Sequence, residues 1–330
     1  MIKKKLNVAH YNFNFFSSRK LPSLYTGVID STSNNSVVFT EFEKNKVSEK
    51  NNLYRIYKIP PYFKLIIDNP KIHRKIELPE IDKGLLIKLS KFSTIDDYVD
   101  KQFSSRKRKQ IRSSIRRLET CFNITYKIYY GDIDKLNYDF LLNKAREFIT
   151  LRFSQIGKKH YHLSNWNSIE DKIYNLILQK KASLFVIYDD NKPINICINY
   201  HFNSITANAF TSYDTDYDKF SLGTIDLYKQ IEWNITNNFK IFDMMMGESE
   251  YKFKWSNSHY DLNHHIIVKK NSISSNFVGA LLFIYLKLKC RIYRLAYANP
   301  ENKMLNLFLP PKGNKSIEQY NRQLFTIETV

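Results

Sequence analysis

Apolar residues between 104 and 122 fall at Ile111, Ile115, Leu118 and Phe122, a helical spacing that makes one face and predicts an amphipathic helix over 104–118. Residues 136–153 and 169–181 predict two more helices. From residue 183 the period changes. Residues 183–188 read as a strand, 189–193 as a turn, 194–200 alternate like a half-buried strand, and 205–211 follow as a third. After a loop at 212–222, Ile225, Tyr228, Ile231, Glu232 and Ile235 mark an amphipathic helix reaching about residue 238. Residues 239–246 predict a strand ending at Gly247, and 263–269 predict a final one. A helix between two neighbouring strands must cross over, so the expected class is α/β (α+β), a mixed sheet flanked by helices.

The first hundred residues read differently. Strand character at 36–42 and 64–68 alternates with polar turns, and Pro60, Pro61, Pro70 and Pro79 argue against long helices. The expected division is a β-rich part at 1–100, a helical segment at 101–182, an αβ core at 183–270, and a helix with a tail at 271–330.

With 330 residues, 43% of them hydrophobic and 15% aromatic, the chain can bury a core and is not a disordered protein. Cys121, Cys197 and Cys290 lie far apart. That pattern excludes a disulfide scaffold and a cysteine zinc site, and fits a reducing cytoplasm. Lys3, Lys4 and Lys5 lack the apolar run of a signal peptide. The longest apolar stretch, 277–286, falls short of the ~18 residues a membrane span needs. The expectation is a cytoplasmic protein, soluble or peripheral. Residues 276–295 are apolar first and basic later, with Lys287, Lys289, Arg291 and Arg294. Two readings stay open for them: a helix packed on the domain, or peripheral contact with anionic lipid at the inner face of a membrane.

The net charge of +19 asks for an anionic partner, although a bias toward Lys, Ile and Asn at the expense of Ala and Gly accounts for part of it. Clustered charge says more. Arg108, Arg112 and Arg116 recur four apart, and residues 101–119 hold eight basic residues and one acidic. Like charges at that spacing cost helix stability, so local folding does not explain the row. It is either a solvated face or a docking site for a polyanion such as CoA phosphates, a nucleotide-sugar diphosphate, RNA or anionic lipid.

The densest motif is Phe242-Asp243-Met-Met-Met-Gly247-Glu248-Ser-Glu250-Tyr251-Lys252-Phe-Lys-Trp255, preceded by Ser221-Leu-Gly223-Thr224. It resembles the terminal block of the CelD/BcsL type of acetyltransferase, within the GNAT superfamily and similar to FemAB-like proteins. The Arg-rich stretch resembles that family's upstream segment. The resemblance implies a GNAT-like fold, with two such units in tandem as one alternative, acyl-CoA (acetyl-CoA) as co-substrate, no metal, and an amine acceptor on a small molecule or a glycan, such as an amino sugar of an envelope polysaccharide or its precursor. In such a fold two neighbouring strands splay, the thioester sits in the gap, and the pyrophosphate meets the next helix N-terminus.

Carried onto this chain, the resemblance puts Ser221, Gly223 and Thr224 at the pyrophosphate. Asp243 and Glu248 become candidates to orient or deprotonate the amine, and Tyr251 to protonate the leaving thiolate. Lys252 pairs with Asp243 or stabilises negative charge. Arg108, Arg112, Arg116 and Trp255 are the substrate-side candidates. The bland alternative is that Asp243 and Lys252 form a structural ion pair, that Tyr251 and Trp255 are core, and that Ser221–Thr224 is an ordinary N-cap turn. Two further readings differ in class: a FemAB-like aminoacyl transferase using charged tRNA, with the Arg row on RNA, and an inactive GNAT-fold binding subunit.

Other constellations are weaker. Asp214, Asp216 and Asp218 open like a calcium loop, but Lys219 and Ile225 stand where Gly and Glu are needed. His160 with His162, and His264 with His265, lack zinc-ligand spacing. No GxSxG, Walker A or GxGxxG motif is present.

Overall fold

The structure, a computed structural model, describes residues 8–32, 43–45, 52–155, 157, 163, 166–247, 249–299 and 301–302. The strand expected at 36–42 and the histidines His160 and His162 lie outside the described residues. The chain divides into two compact units, residues 1–86 with 246–330 and residues 87–245. It leaves the first unit once and returns to it at Met246.

The first unit contains β1 (Val8–Asn12), α1 (Phe15–Ser18), β2 (Lys20–Pro22), β3 (Tyr25–Asp30), β4 (Glu43–Asn45), β5 (Leu53–Ile59), β6 (Phe63–Ile67) and β7 (His73–Lys88). After the return come α7 (Glu250–Trp255), β13 (Ser258–Lys269) and α8 (Ile273–Ala298). The sheet runs β1-β5-β13-β7, with β1 parallel to β5 and β13 antiparallel to both its neighbours. β2 with β4 and β3 with β6 form two small ribbons. The last strand expected from the sequence is thus paired with the amino-terminal part, not with the strands that precede it.

Alternation along β13 sends its adjacent histidines to opposite faces. His265 Nδ1 lies 2.7 Å from Tyr25 Oη, and His264 Nε2 accepts from Arg55 Nε at 2.8 Å. Burial first, and neighbouring cations second, pull both imidazoles down, His264 to about 3 and His265 to about 4. They are satisfied strand residues. Pro79 does not end a segment: it sits inside the 16-residue β7, opposite Asn263, where the register shifts between Asp261 and Asn263. A bulge tolerates the missing amide.

The second unit contains α2 (Ile95–Gln102), α3 (Ser105–Cys121), β8 (Ile124–Tyr129), α4 (Lys135–Gln155), α5 (Trp166–Leu178), β9 (Ala182–Asp189), β10 (Lys192–Phe202) and β11 (Ile205–Tyr213). A 3-10 turn over Thr215–Phe220 then leads into α6 (Leu222–Thr236), and β12 (Ile241–Met246) follows. Strands β8 to β11 are successively antiparallel, and β12 lies parallel to β11. The crossover helix expected from the sequence is α6. Thr94 caps α2 reciprocally: the Asp97 amide donates to Thr94 Oγ1 at 3.1 Å, and the Thr94 amide to Asp97 Oδ2 at 2.9 Å. Leu118 of α3 and Ile225 of α6 pack with Phe185, Ile187 and Cys197. Alternate residues face α4 and α5, as Trp166 does against Phe210.

Close packing in the first unit can be tested at Gly84. It pairs across strands with Tyr260, and a Cβ there would lie 2.0 Å from Tyr260 Cζ. Gly84→Ala is expected to destabilise the protein by about 1–3 kcal/mol, read from denaturant unfolding.

Candidate functional site

Two backbone events in the second unit make a concave site. The ladder between β11 and β12 holds Ile205 to Ile241, Thr206 to Phe242 and Ala207 to Asp243, then stops, although β11 continues to Tyr213. Two residues on, the β10–β11 register shifts so that Ile198 faces Phe210 while Asn199 faces Asn208, which leaves Ala209 as an extra residue. β12 runs on to Met246 past the end of that ladder. Asp243 is fully buried, and its Oδ1 accepts from the Met245 amide at 2.7 Å, while Met245 is held at φ 61°. A long side chain in the left-handed region is strained, and the carboxylate acceptor offsets that strain. The parallel pair β11 and β12 is thus laddered as far as Ala207 and forks beyond it, β11 running on to Tyr213.

The start of α6 is the second event. Ser221, its N-cap, lies in the left-handed region at φ 58°, and its side chain makes no capping bond. The amides of Thr224 and Ile225 both turn back to Ser221 O, at 2.8 and 3.3 Å. The amides of Leu222 and Gly223 head the helix without an intrahelical acceptor, as in any first turn. A Cβ at Gly223 would meet nothing within 4 Å, so the surface over this turn is open. The cation placed here is Arg117, whose guanidinium lies 4.8 Å from the centroid of the Phe220 ring. Positive helix end, free amides and guanidinium together suit a phosphate-bearing ligand.

The Arg row expected to bind substrate is largely engaged. Arg108 Nε lies 3.1 Å from Asp100 Oδ1 and its Nη1 donates to the carbonyls of Asp100 and Phe103, while Arg112 Nη2 donates to Asp96 Oδ1 at 2.9 Å. Both acids belong to α2. The acids that compensate the row, Asp96 and Asp100, lie just upstream of the basic stretch 101–119. Arg116 is exposed, and the next residue, Arg117, is the one set against Phe220.

The residues of the 242–255 block fall in different units: Asp243 in the second, Tyr251, Lys252 and Trp255 in the first. Glu248 lies outside the described residues. Lys252 Nζ donates to Met246 O at 3.0 Å across a turn whose Gly247 has φ 106°, a conformation that requires glycine. Tyr251 is 48% exposed. Trp255, expected to face a substrate, is 2% exposed and is a core residue of the first unit.

Sequence reading missed a buried polar ladder that fixes α6 to the sheet. Asp226, Gln230 and Asn234 recur four apart on α6 and meet the polar positions Asn195, Cys197, Asn199 and His201 of β10, all buried. Asp226 accepts from Asn195 Nδ2 and Gln230 Nε2, both at 2.8 Å, and from Thr211 Oγ1 at 3.4 Å. Gln230 Oε1 accepts from Asn199 Nδ2 at 2.8 Å, and Asn234 Oδ1 from Thr206 Oγ1. His201 closes the ladder between Thr206 and Ser183. Burial pushes the Asp226 carboxyl up to about 7 against these hydrogen bonds. It also raises the Cys197 thiol, with Asp226 adding to the effect.

The first unit has its own cavity of about 680 Å³, lined by Arg55, Tyr57, Glu80, His264, Lys289 and Tyr293 among others. Glu80 accepts from the Lys58 amide at 2.6 Å and is pushed up to about 7 by burial. Among the described residues no group of three metal-ligating side chains is assembled; Asp214 instead caps the 3-10 turn and pairs with Lys192 at 2.8 Å.

A family model described as an acetyltransferase (GNAT) domain matches residues 105–253. Among curated proteins none matches the chain. The chain is similar to FemX at 10% identity, covering 70% of this chain and 75% of that one with a TM-score of 0.46. It is similar to a conserved protein of unknown function from Bacteroides thetaiotaomicron at 12% identity, covering 67% and 71% with a TM-score of 0.44. L-PGS from Bacillus licheniformis is similar at 14% identity, covering 69% and 72% with a TM-score of 0.41. With these TM-scores below 0.5, the three likenesses bear on neither substrate nor mechanism. The match to an acetyltransferase (GNAT) domain thus spans residues 105–253, a little under half of the chain, and the fold is mixed α/β.

Two predictions follow from this geometry. Asp243→Ala, which removes the acceptor of the Met245 amide, is expected to cost about 1–3 kcal/mol in denaturant unfolding, and Asp243→Asn, which keeps an acceptor oxygen, distinctly less. The second concerns pH. The folded pKa of Asp226 is raised above the unfolded value, so the native state holds the proton more tightly. Stability from this group is complete below pH ~4 and is lost as pH rises through about 7, by an amount on the order of 4 kcal/mol. Asp226→Asn does not titrate, so the unfolding free energy of the parent should fall relative to that of the variant across this window: with an equal fit the two coincide at low pH and the variant is the more stable at high pH, and a poorer fit of the asparagine lowers the variant by a constant amount. A difference that does not change with pH would refute the assignment.

Proposed function

We propose that this chain is a GNAT-type N-acyltransferase that moves an acyl group from acyl-CoA, acetyl-CoA first among them, to an amine. The observation that carries the reading is the fork between β11 and β12, with the exposed first turn of α6 following β11 in the chain. A thioester carbonyl placed in the fork has its oxygen toward the backbone of β11 beyond Ala207. The pyrophosphate meets Leu222, Gly223, Thr224 and Ser221, and Arg117 supplies the opposing charge. The amine nitrogen then attacks the carbonyl carbon, the oxyanion faces that backbone, and collapse expels the CoA thiolate. One proton leaves the amine and one reaches the sulfur, so the transfer balances without metal or redox chemistry.

Glu248 and Tyr251 are the candidates of the 242–255 block for these proton transfers by sequence resemblance alone, and for Asp243 we assign a positioning role through the Met245 turn. The CelD/BcsL type is the branch favoured by the 242–255 block, and an amino sugar of an envelope polysaccharide or its precursor is the first acceptor class to assay. The aminoacyl-tRNA alternative is less well supported, because Arg108 and Arg112 already face the carboxylates of α2.

Thermal unfolding with excess acetyl-CoA tests the reading. Ligand at a hundred times its dissociation constant stabilises the fold by about 2.7 kcal/mol. Gly223→Asp enters open space and places its carboxylate where a helix N-terminus favours one, so the fold tolerates it while phosphate is repelled. The parent should gain melting temperature with acetyl-CoA, Gly223→Asp should not, and Arg117→Ala should show a reduced gain. No gain by the parent with acetyl-CoA, longer acyl-CoAs or free CoA would count against a CoA donor.

A further inference from the structure

The apolar stretch 277–286 is ten residues long, but the helix that contains it runs for 26, and 25 of those residues have the length and composition of a membrane span. Its surroundings show a different use. One flank is committed to protein: Val278, Leu282, Phe283 and Leu286 pack on Leu53, Leu78, Ile266 and Val268. The fit is tight at Gly279, where a Cβ would lie 2.6 Å from Val268 Cγ1. A helix seated on a sheet in this way cannot be surrounded by lipid.

The other flank is apolar and uncovered. Ile273, Phe277, Leu281, Ile284, Tyr285 and Leu288 are between 51% and 89% exposed. On a helical projection they share one arc, and Lys287 and Arg291, both exposed, lie at its edge and end. Scattered exposed apolar residues need no explanation, whereas a contiguous stripe four turns long marks a docking face. Charge selects the occupant. From residue 262 to 300 the chain has no Asp or Glu and six cations: Lys269, Lys270, Lys287, Lys289, Arg291 and Arg294. Arg294 is paired with Asp261 at 3.1 Å. A second copy docked on this face would bring like charge against like charge. An anionic lipid surface accepts the apolar stripe into its acyl boundary and the long cationic side chains at its headgroups.

We propose that the exposed face of α8 lies on an anionic membrane surface, holding the protein there as a peripheral enzyme. The experiment is flotation of the full chain with vesicles of phosphatidylcholine alone, or of that lipid mixed equally with phosphatidylglycerol. The parent should bind the mixed vesicles roughly tenfold more tightly than the neutral ones, with binding weakened as salt screens the cations. A net charge of +19 would produce some of that attraction anywhere on the surface, so the apolar arm decides. Phe277→Ser with Leu281→Ser keeps every charge and should lose roughly tenfold in affinity for mixed vesicles. Lys287→Glu with Arg291→Glu should lose at least as much, whereas Arg106→Glu with Lys109→Glu on α3, an equal change of charge in the other unit, should lose far less. All six of these side chains are exposed, so melting temperatures should be retained. Equal losses for the two charge pairs, or undiminished binding by the Ser pair, would overturn the proposal. So would a parent that ignores both vesicles and sediments as a dimer which the Ser pair dissociates, the signature of a second copy on this face.

Discussion

The carboxylate of Asp243 on the amide of Met245 is the contact on which the candidate site depends. Strand β12 leaves its ladder with β11 at that residue, and the departure requires Met245 at φ 61°. Parallel neighbours with matched registers ordinarily stay paired to their ends, since each lost ladder bond exposes an amide that must find another partner. Here a local side-chain acceptor replaces the lost order on β12. A buried carboxylate is costly without hydrogen bonds, so its retention in the middle of an apolar strand is explained by the turn it makes.

The fork is useful only if its walls hold still, and the polar ladder beneath α6 supplies that rigidity. An apolar helix on an apolar sheet can slide by a methyl group with little penalty. Asp226, Gln230 and Asn234 cannot, because each is bonded to a specific partner on β10, on β11 or along α6 itself. Displacing α6 by one turn would leave several buried polar groups without partners, at a cost of about 1–3 kcal/mol each. Register is thereby fixed, and with it the position of Ser221 and Gly223 relative to β11. Polar residues in a core are weak contributors to stability and strong contributors to specificity of packing, which is the quantity that fixes the start of α6 relative to β11.

Much of this was legible in the sequence where pattern and period speak for themselves. The helix at 104–118, the strands at 183–211, the crossover helix and the strand ending at Gly247 all have counterparts at nearly the expected bounds. What was not legible depends on partners distant in the chain. The alternation of Asn195, Cys197, Asn199 and His201 looks like a solvent-facing edge until α6 is known to present amides and a carboxylate to it. Strand β13 reads as the close of the preceding core, yet it is held between β5 and β7, whose residues lie almost two hundred positions earlier. The eight-residue α2 is too short to declare itself by period, and its acids change the meaning of the arginines that follow.

That last point bears on how a net charge of +19 should be understood. Charge became informative only when each cluster was set beside the groups it faces. The Arg row of α3, the most conspicuous cluster in the sequence, is half answered by Asp96 and Asp100, and exposed pairs of that kind contribute little to stability and exchange readily with solvent. Arg117, unremarked by spacing, is set on an aromatic ring beside an open helix N-terminus. The cations of α8 stand on a stretch of 39 residues without a single acid, next to an uncovered apolar stripe. Both places combine positive charge with a second feature that an anion-bearing ligand would use, free amides in one and apolar surface in the other. The coincidence of the two properties, more than the sum of the charge, is what separates a binding surface from the composition of the chain.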